Sequence, residues 1–388
     1  MRKFITAVLI SLCLFSTATA EAFDFNPSVS LTTSEAYNDN IQLFHTNRES
    51  DFITYVTPAV SFMLDSSRSQ LAFSYSPSFN FYASHSFKNN TSQNASGSGT
   101  FALSDRLNLS ISDTYLKSQE INDLLTLTNY GPIRSTTQTS VNTLNGNLSY
   151  KLSDHLTYLL GGSFSDTQLE GSDTFNTNVY SGNTGFAYSL NTRTTFSINA
   201  AYTRSDFKAG NNSDFQNYTL GITHKFTPTV TLAMTGGVVL TNLQDTGKQT
   251  TDFTGSVALT KNFEKGSATL SYIRSVVPGV EESQPLTTDA VSLNFSRPLA
   301  QRWTASLTGS YIKSSSTTGI SAFKSDEERA AASLSYAIRP WATASLSYTF
   351  VDLSDKINSS SSYYNNVAML MFTVSYPPRK PKVMATSE

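Results

Sequence analysis

Residues 341–350 read WATASLSYTF, and from Ala342 onward every second side chain is apolar or aromatic. The residues between them are all Ser or Thr. Because successive side chains of a β-strand point to opposite faces, this alternation predicts a strand with one apolar face and one wet face. In a soluble sandwich the apolar face would point into a shared core, whereas in a membrane barrel it would face lipid.

Similar runs recur along the chain, for example at 71–81, 196–203 and 304–311. Turn residues cluster near positions 67, 105, 154, 192, 228, 265, 300 and 340, and looser connections rich in Asn, Ser, Asp and Gly alternate with them. All but one of the intervals span about 35–40 residues, enough for two strands of about 10–14 residues each. This rhythm predicts about eighteen strands, with sixteen as the alternative, joined by eight tight turns and nine longer loops.

The strand rhythm decides between the two environments. A propeller also repeats near 40 residues, but it fits four short strands into each blade. Long strand pairs, an even strand count and alternating short and long connections are typical of an all-β, transmembrane, antiparallel up-and-down β-barrel. Lipid can cover the whole outer face of such a barrel, and closure satisfies every backbone hydrogen bond. Aromatic side chains near both strand ends predict two girdles, namely Trp303 and Trp341 at one end and Tyr115, Tyr202, Tyr311 and Phe350 at the other.

The N-terminal residues indicate export. Arg2 and Lys3 precede a short apolar run, and Ala18-Thr19-Ala20 supplies the small residues that a signal peptidase requires. We therefore expect a signal peptide over 1–20, an outer-membrane barrel over 21–376 and a C-terminal periplasmic tail over 377–388, in a Gram-negative cell. The only cysteine, Cys13, lies within the leader, so the mature chain is expected to contain no disulfide.

Composition narrows the function classes. Only 14% of residues are charged, against about 25% in ordinary soluble domains, and the formal net charge is −2. This balance excludes a nucleic-acid-binding surface of the usual basic kind. The partners expected instead are outer-membrane lipids, lipopolysaccharide and the barrel assembly machinery, with polysaccharide as a further candidate. The oligomeric state is left open.

The first strands carry a family resemblance. The cluster Tyr37-Asn38-Asp39-Asn40, followed by Ser50-Asp51-Phe52 and Pro58, resembles the opening of a family of outer-membrane β-barrel porins. Some members of that family are associated with exopolysaccharide production and the PEP-CTERM sorting system. The resemblance implies an outer-membrane location and a link to surface polysaccharide, and it implies no catalytic residue.

Catalytic and metal-binding patterns are weak. The four histidines lie on separate hairpins without metal-ligand spacing, and there is no haem-attachment motif. A dyad of His85 and Asp39 at the rim is the best hydrolase candidate, and nothing in the spacing requires it. We therefore expect no enzyme activity, no cofactor and no metal.

The predicted inward positions are Ser, Thr, Asn, Gly and Ala almost throughout. Such a neutral wall favours passive passage of small polar solutes or saccharides, and the resemblance adds a role in surface-polysaccharide export. Equally, small polar residues can simply leave room in a wide lumen. The alternative function is a structural barrel that sheathes or anchors a periplasmic partner without conducting.

The longest loop is the candidate constriction. In trimeric general porins the third outer loop folds into the lumen, and residues 117–138 occupy that position here. Five apolar residues favour such burial: Ile121, Leu124, Leu125, Leu127 and Ile133. The charges expected near the narrowest point are Lys117, Glu120, Asp123 and Arg134. The alternative is a packed hairpin that extends the flanking strands above the membrane.

Overall fold

The computed structural model describes residues 23–127, 131–132, 136–208, 212–317 and 322–377, with the backbone alone for residues 172–175. Within these residues, eighteen strands form one antiparallel sheet. The strands are β1 (Asp24–Asn38), β2 (Asp51–Asp65), β3 (Ser69–Tyr82), β4 (Asn90–Ala102), β5 (Leu107–Ser118), β6 (Thr139–Lys151), β7 (Leu156–Leu169), β8 (Ser172–Ser189), β9 (Thr194–Phe207), β10 (Ser213–Thr227), β11 (Val230–Leu243), β12 (Gln249–Phe263), β13 (Gly266–Gly279), β14 (Gln284–Ala300), β15 (Trp303–Ser316), β16 (Lys324–Arg339), β17 (Ala342–Asp355) and β18 (Tyr363–Tyr376).

The sheet closes on itself. Every strand pairs with its neighbours in sequence, and β1 also pairs with β18, from Val29 opposite Tyr376 to Asn38 opposite Val367. The prediction of an eighteen-stranded up-and-down barrel is therefore confirmed. Three short helices lie in the connections of the described chain: the helix α1 (Ile121–Leu124) and two 3-10 helices, Ser86–Lys88 and Ser359–Ser361.

None of the helices in the described parts of the chain combines the length and apolarity needed to cross a membrane.

The two faces of the barrel follow the alternation read from the sequence. Leu346 lies between Leu334 and Leu370 of the neighbouring strands and is 56% exposed on the outer surface. Inward hydroxyls instead bond to each other across strands, forming what we call hydroxyl rungs. The rungs include Ser74–Ser96, Thr143–Ser165, Ser181–Thr203, Ser271–Ser292 and Ser306–Ser333, with oxygen–oxygen distances of 2.6–3.0 Å. The apolar outer face is thus suited to contact with lipid, while these inward hydroxyls bond to each other.

Aromatic side chains are exposed near both ends of the strands. Trp303 is the first residue of β15 and Trp341 directly precedes β17. At the opposite strand ends, tyrosine hydroxyls donate to polar groups on the next strand, as Tyr202 does to Asp214 at 2.7 Å. Tyrosine and tryptophan favour membrane–water boundaries because one part of each side chain is apolar and the other forms hydrogen bonds.

The connections at one end of the barrel, here called the turn end, are all short. They occupy 66–68, 103–106, 152–155, 190–193, 228–229, 264–265, 301–302 and 340–341, as the turn residues predicted. The opposite end, the loop end, carries the long connections 39–50 and 119–138. The prediction that every loop-end connection is longer is wrong for residues 170–171, where Gly171 adopts a φ of 78° that permits a two-residue hairpin. It is also wrong for residues 280–283, which are no longer than the four-residue connections of the turn end.

Candidate pore and its constriction

The described part of residues 119–138, a connection that we call loop 3, enters the barrel rather than standing above it. Ile121 and Leu124 of helix α1 are only 5% and 2% exposed. They form an apolar cluster with inner-wall residues of β1, β17 and β18 and with the connection 39–50, namely Ala36, Leu43, Val351, Leu353, Tyr363 and Val367. The loop therefore crosses from its root on β5 to a distant part of the wall.

A buried carboxylate fixes the start of the loop. Glu120 is 6% exposed and accepts hydrogen bonds from the Tyr82 hydroxyl at 2.9 Å, the Tyr55 hydroxyl at 3.0 Å and the Asn90 amide at 2.9 Å. The Asn80 amide lies at 3.4 Å. Burial raises the pKa of the Glu120 carboxyl, and the hydrogen bonds from Asn90, Tyr82 and Tyr55 oppose that rise. Strands β2, β3 and β4 thus hold this carboxyl together.

The second acidic side chain of loop 3, Asp123, is also held by a hydrogen bond within the protein. The Ser118 hydroxyl donates to Asp123 at 2.6 Å, and the same oxygen accepts from the Glu120 backbone N–H at 3.0 Å. Burial raises the pKa of the Asp123 carboxyl, and the bond from Ser118 opposes the rise. Both carboxyls therefore position the loop, and neither lies free in the lumen.

The far part of the loop reaches β16 and β14. Arg329 donates from Nη1 to the Leu125 carbonyl oxygen at 3.2 Å and pairs through Nε with Glu327 at 2.6 Å. Gly131 lies against β14, where a Cβ atom would stand 3.1 Å from Leu286 Cδ1. Its φ of 81° also favours glycine. Loop 3 therefore spans the lumen.

The structure separates the four candidate residues. Glu120 and Asp123 lie together at the root of loop 3, as described. Lys117 points to the opposite face of β5 from Ser118, and its Nζ is 3.8 Å from Glu170 on the outer surface. Side chains alternate along a strand, so Lys117 cannot join Ser118 inside the barrel. Arg134 lies outside the described residues.

The rim dyad is not formed. His85 Nδ1 lies 2.9 Å from Asp51, while Asp39 accepts from Arg48 at 3.4 Å and from the Asn366 amide at 2.7 Å. In the described part of the chain, no group of three His, Cys, Asp or Glu side chains is placed to hold a metal ion.

An open space of about 510 Å³ remains beside loop 3. Thr126 and Leu127 of the loop border it on one side, and the inner walls of β5–β9 and β13 on the others. Hydroxyl, amide and aliphatic groups line this space, and none of its lining side chains is charged. A second space of about 600 Å³ lies nearer the turn end and is lined by residues of β2–β8 and of the turn 66–68. We call the two together the passage.

Several residues that position the loop were not identified from the sequence. Tyr55, Tyr82, Asn80 and Arg329 belong to strands remote from loop 3 in sequence. One signal was available, because Tyr55 and Tyr82 occupy inward positions where small polar residues prevail. A large side chain at such a position requires a partner inside the barrel.

No protein-family model and no curated protein matches this sequence. Solved structures match its fold. OccK1 (OpdK) of Pseudomonas aeruginosa is 10% identical, with 90% of this chain and 99% of that chain covered and a TM-score of 0.50. OccK2 (OpdF) of the same organism is 8% identical, with 91% and 98% covered and a TM-score of 0.50.

The chain has the fold of an outer-membrane porin barrel. Identities this low show the fold alone. The resemblance of residues 37–58 to the exopolysaccharide-associated family has no counterpart among these matches.

Proposed function

We propose that the protein is an outer-membrane channel for the passive passage of small polar solutes, chiefly uncharged ones such as saccharides. The observation that carries this proposal is the open space of about 510 Å³ beside loop 3, which has no charged lining residue. The outer face, with exposed Leu346 between leucines of its neighbours, supports contact with outer-membrane lipid and lipopolysaccharide.

The lining chemistry favours neutral solutes. An ion that leaves bulk water loses favourable hydration free energy. Interactions with a wall that has no fixed charge compensate only a small part of this loss. A sugar instead exchanges hydrogen bonds with water for hydrogen bonds with hydroxyls and amides at small net cost. Selectivity for strongly charged solutes would require rings of Arg, Asp or Glu at the constriction. Glu120 is instead buried at the root of loop 3, and Asp123 accepts a hydrogen bond from Ser118 there.

Loop 3 is the proposed constriction. It crosses the lumen, and its apolar helix and its carboxyls hold it against the wall.

Two further parts of the proposal have other support. The resemblance of residues 37–58 supports a role in surface-polysaccharide export, and the fold supports assembly by the barrel machinery.

The experiment is reconstitution of the purified protein into planar bilayers and liposomes. We expect single-channel currents in KCl, and faster liposome swelling in neutral disaccharide than in a dianion of similar size. A barrel that never conducts would support the structural alternative, which the filling of the loop end by α1 and Leu43 favours. Preferential swelling in the dianion would overturn the proposed selectivity.

A further inference from the structure

Two inward asparagines converge on a bare stretch of backbone within the passage. Asn147 of β6 lies opposite Gly161 of β7, which in turn lies opposite Asn183 of β8. A Cβ atom on Gly161 would stand 2.8 Å from Asn147 Oδ1 and closer still to Asn183 Oδ1. Both amides therefore lean over the same glycine from opposite sides. We call this group of three residues the amide cleft.

The amides of the cleft belong to the polar groups of the wall that are not used to hold the barrel or loop 3 together. Inward Ser and Thr side chains bond to each other in the hydroxyl rungs, and Asn80 and Asn90 donate to Glu120. Neither Asn147 nor Asn183 has a side-chain hydrogen bond to any described residue. Each amide offers one acceptor and two donors, so the cleft presents unused hydrogen-bonding capacity to the lumen.

The cleft lies in the 600 Å³ space near the turn end. Asn108, Ser110 and Ser149 add further neutral polar groups to its lining. The charged residues that line this space, Asp65 and Arg68, have opposite signs and belong to the edge near the turn between β2 and β3. The surroundings thus provide room for a small solute and no net charge to attract an ion.

We propose that the amide cleft is a binding site for saccharides, at which neighbouring hydroxyls of one sugar ring bridge Asn147 and Asn183. Two hydroxyls on adjacent carbons match two amides because each partner both donates and accepts hydrogen bonds. Gly161 is required because any side chain there would displace both amide oxygens from these positions. This inference deepens the proposed function and rests on it for the sugar's route into the lumen.

The test measures binding without requiring conduction. Maltose is titrated into the purified full-length protein by calorimetry, in a polyoxyethylene detergent that carries no sugar headgroup. For wild type we expect a dissociation constant of about 1–10 mM, in the range of a few solvent-exposed hydrogen bonds. We expect the double variant Asn147→Ala with Asn183→Ala to bind at least tenfold more weakly.

Gly161→Ala and Gly162→Ala form the matched pair. The added methyl at Gly161 must displace both amide oxygens, and we expect a similar loss of maltose binding. At Gly162 the nearest atom is the Ser181 carbonyl oxygen at an ordinary 3.5 Å, so binding should not change. Heat-modified gel migration of all variants checks that the barrel is intact.

Several outcomes would overturn the site: no maltose binding by wild type, equal binding by all variants, or binding of an organic cation such as spermidine in place of maltose. A protein that binds maltose in this pattern but never conducts would refute the proposed channel and leave the amide cleft standing. A protein that conducts but shows no maltose binding would refute the amide cleft as a binding site and leave the proposed channel standing.

Discussion

Asparagine side chains have different roles on two sides of the inner wall. On the side covered by loop 3, Asn80 and Asn90 donate to the buried Glu120. On the open side, Asn147 and Asn183 have no side-chain hydrogen bond to a described residue. An inward asparagine therefore has no fixed role in this barrel. Asn80 and Asn90 hold a loop where a loop covers them, and Asn147 and Asn183 face open space where none does.

Several independent contacts hold loop 3 to its side. Burying Ile121 and Leu124 is worth roughly 1.5–3 kcal/mol for each side chain. Hydrogen bonds to the buried Glu120 carboxyl add about 0.5–3 kcal/mol each. Because these free energies are similar in size, we expect no single substitution to release loop 3 from the wall. A deletion within the loop removes several of the contacts at once and should have a larger effect.

The largest effect is expected from deleting residues 122–133. The deletion removes most of α1 and the part of loop 3 that crosses the lumen, so single-channel conductance should rise severalfold. The matched control deletes residues 245–247 of the connection between β11 and β12, which should leave conductance unchanged. An intact barrel with unaltered conductance would place the constriction elsewhere and end the contrast between the two sides.

The second prediction concerns the contrast between the outer face and the inner wall. Leu346→Arg places a charge against lipid near the middle of β17 and should destabilise the barrel by about 2–4 kcal/mol. Ser345→Arg points into the lumen and should cost much less. Urea unfolding of both variants in lipid vesicles measures the difference. Equal losses would mean that the assigned faces are shifted by one residue.

The third prediction separates two of the four candidate charges. Glu120→Ala removes the acceptor of the hydrogen bonds from Tyr55, Tyr82 and Asn90 and should weaken loop docking by about 1–3 kcal/mol. This loss should appear as brief transitions to a higher-conductance level in single-channel records. Lys117→Gln changes a charge on the outer surface and should produce no such transitions. Identical records for the two variants would contradict the assigned role of Glu120.

The smallest effect is a dependence on pH. Burial raises the pKa of Glu120 and Asp123 in the docked loop, so the docked state binds protons more tightly than a loop released into water. Docking is therefore strongest in acid and weakens as pH rises through the docked pKa values. The high-conductance transitions should become rarer on acidification. Glu120→Gln with Asp123→Asn should abolish this trend, and its persistence would assign it to other groups.

Local patterns were sufficient to predict the barrel. The alternation at 341–350 gave the correct faces, and turn residues located all eight connections of the turn end. Both patterns involve residues within one hairpin, so they can be recognised in the sequence without knowing how the barrel closes. The same alternation is sufficient to place Lys117. Side chains two residues apart on a strand share a face, so Lys117 points outward like Tyr115.

The constriction could be predicted only in part. The apolar residues of 117–138 indicated that the loop avoids water, and Ile121 and Leu124 are buried. The place where they dock depends on β17 and β18, more than two hundred residues further along the chain. No pattern within loop 3 specifies that path. The amide cleft likewise depends on the pairing of three strands.

The seam between β1 and β18 has a consequence for the order of assembly. Seventeen of the strand pairings join strands adjacent in sequence, whereas this one joins Val29 to Tyr376. Hairpins form quickly because their contacts are local, but the seam must bring together nearly opposite ends of the described chain. A nascent sheet that lacks β18 exposes two unpaired edges, which hydrocarbon does not tolerate. Closure by β18 is thus the one long-range pairing among the described strands, and only this pairing leaves the sheet without an edge that hydrocarbon would have to contact.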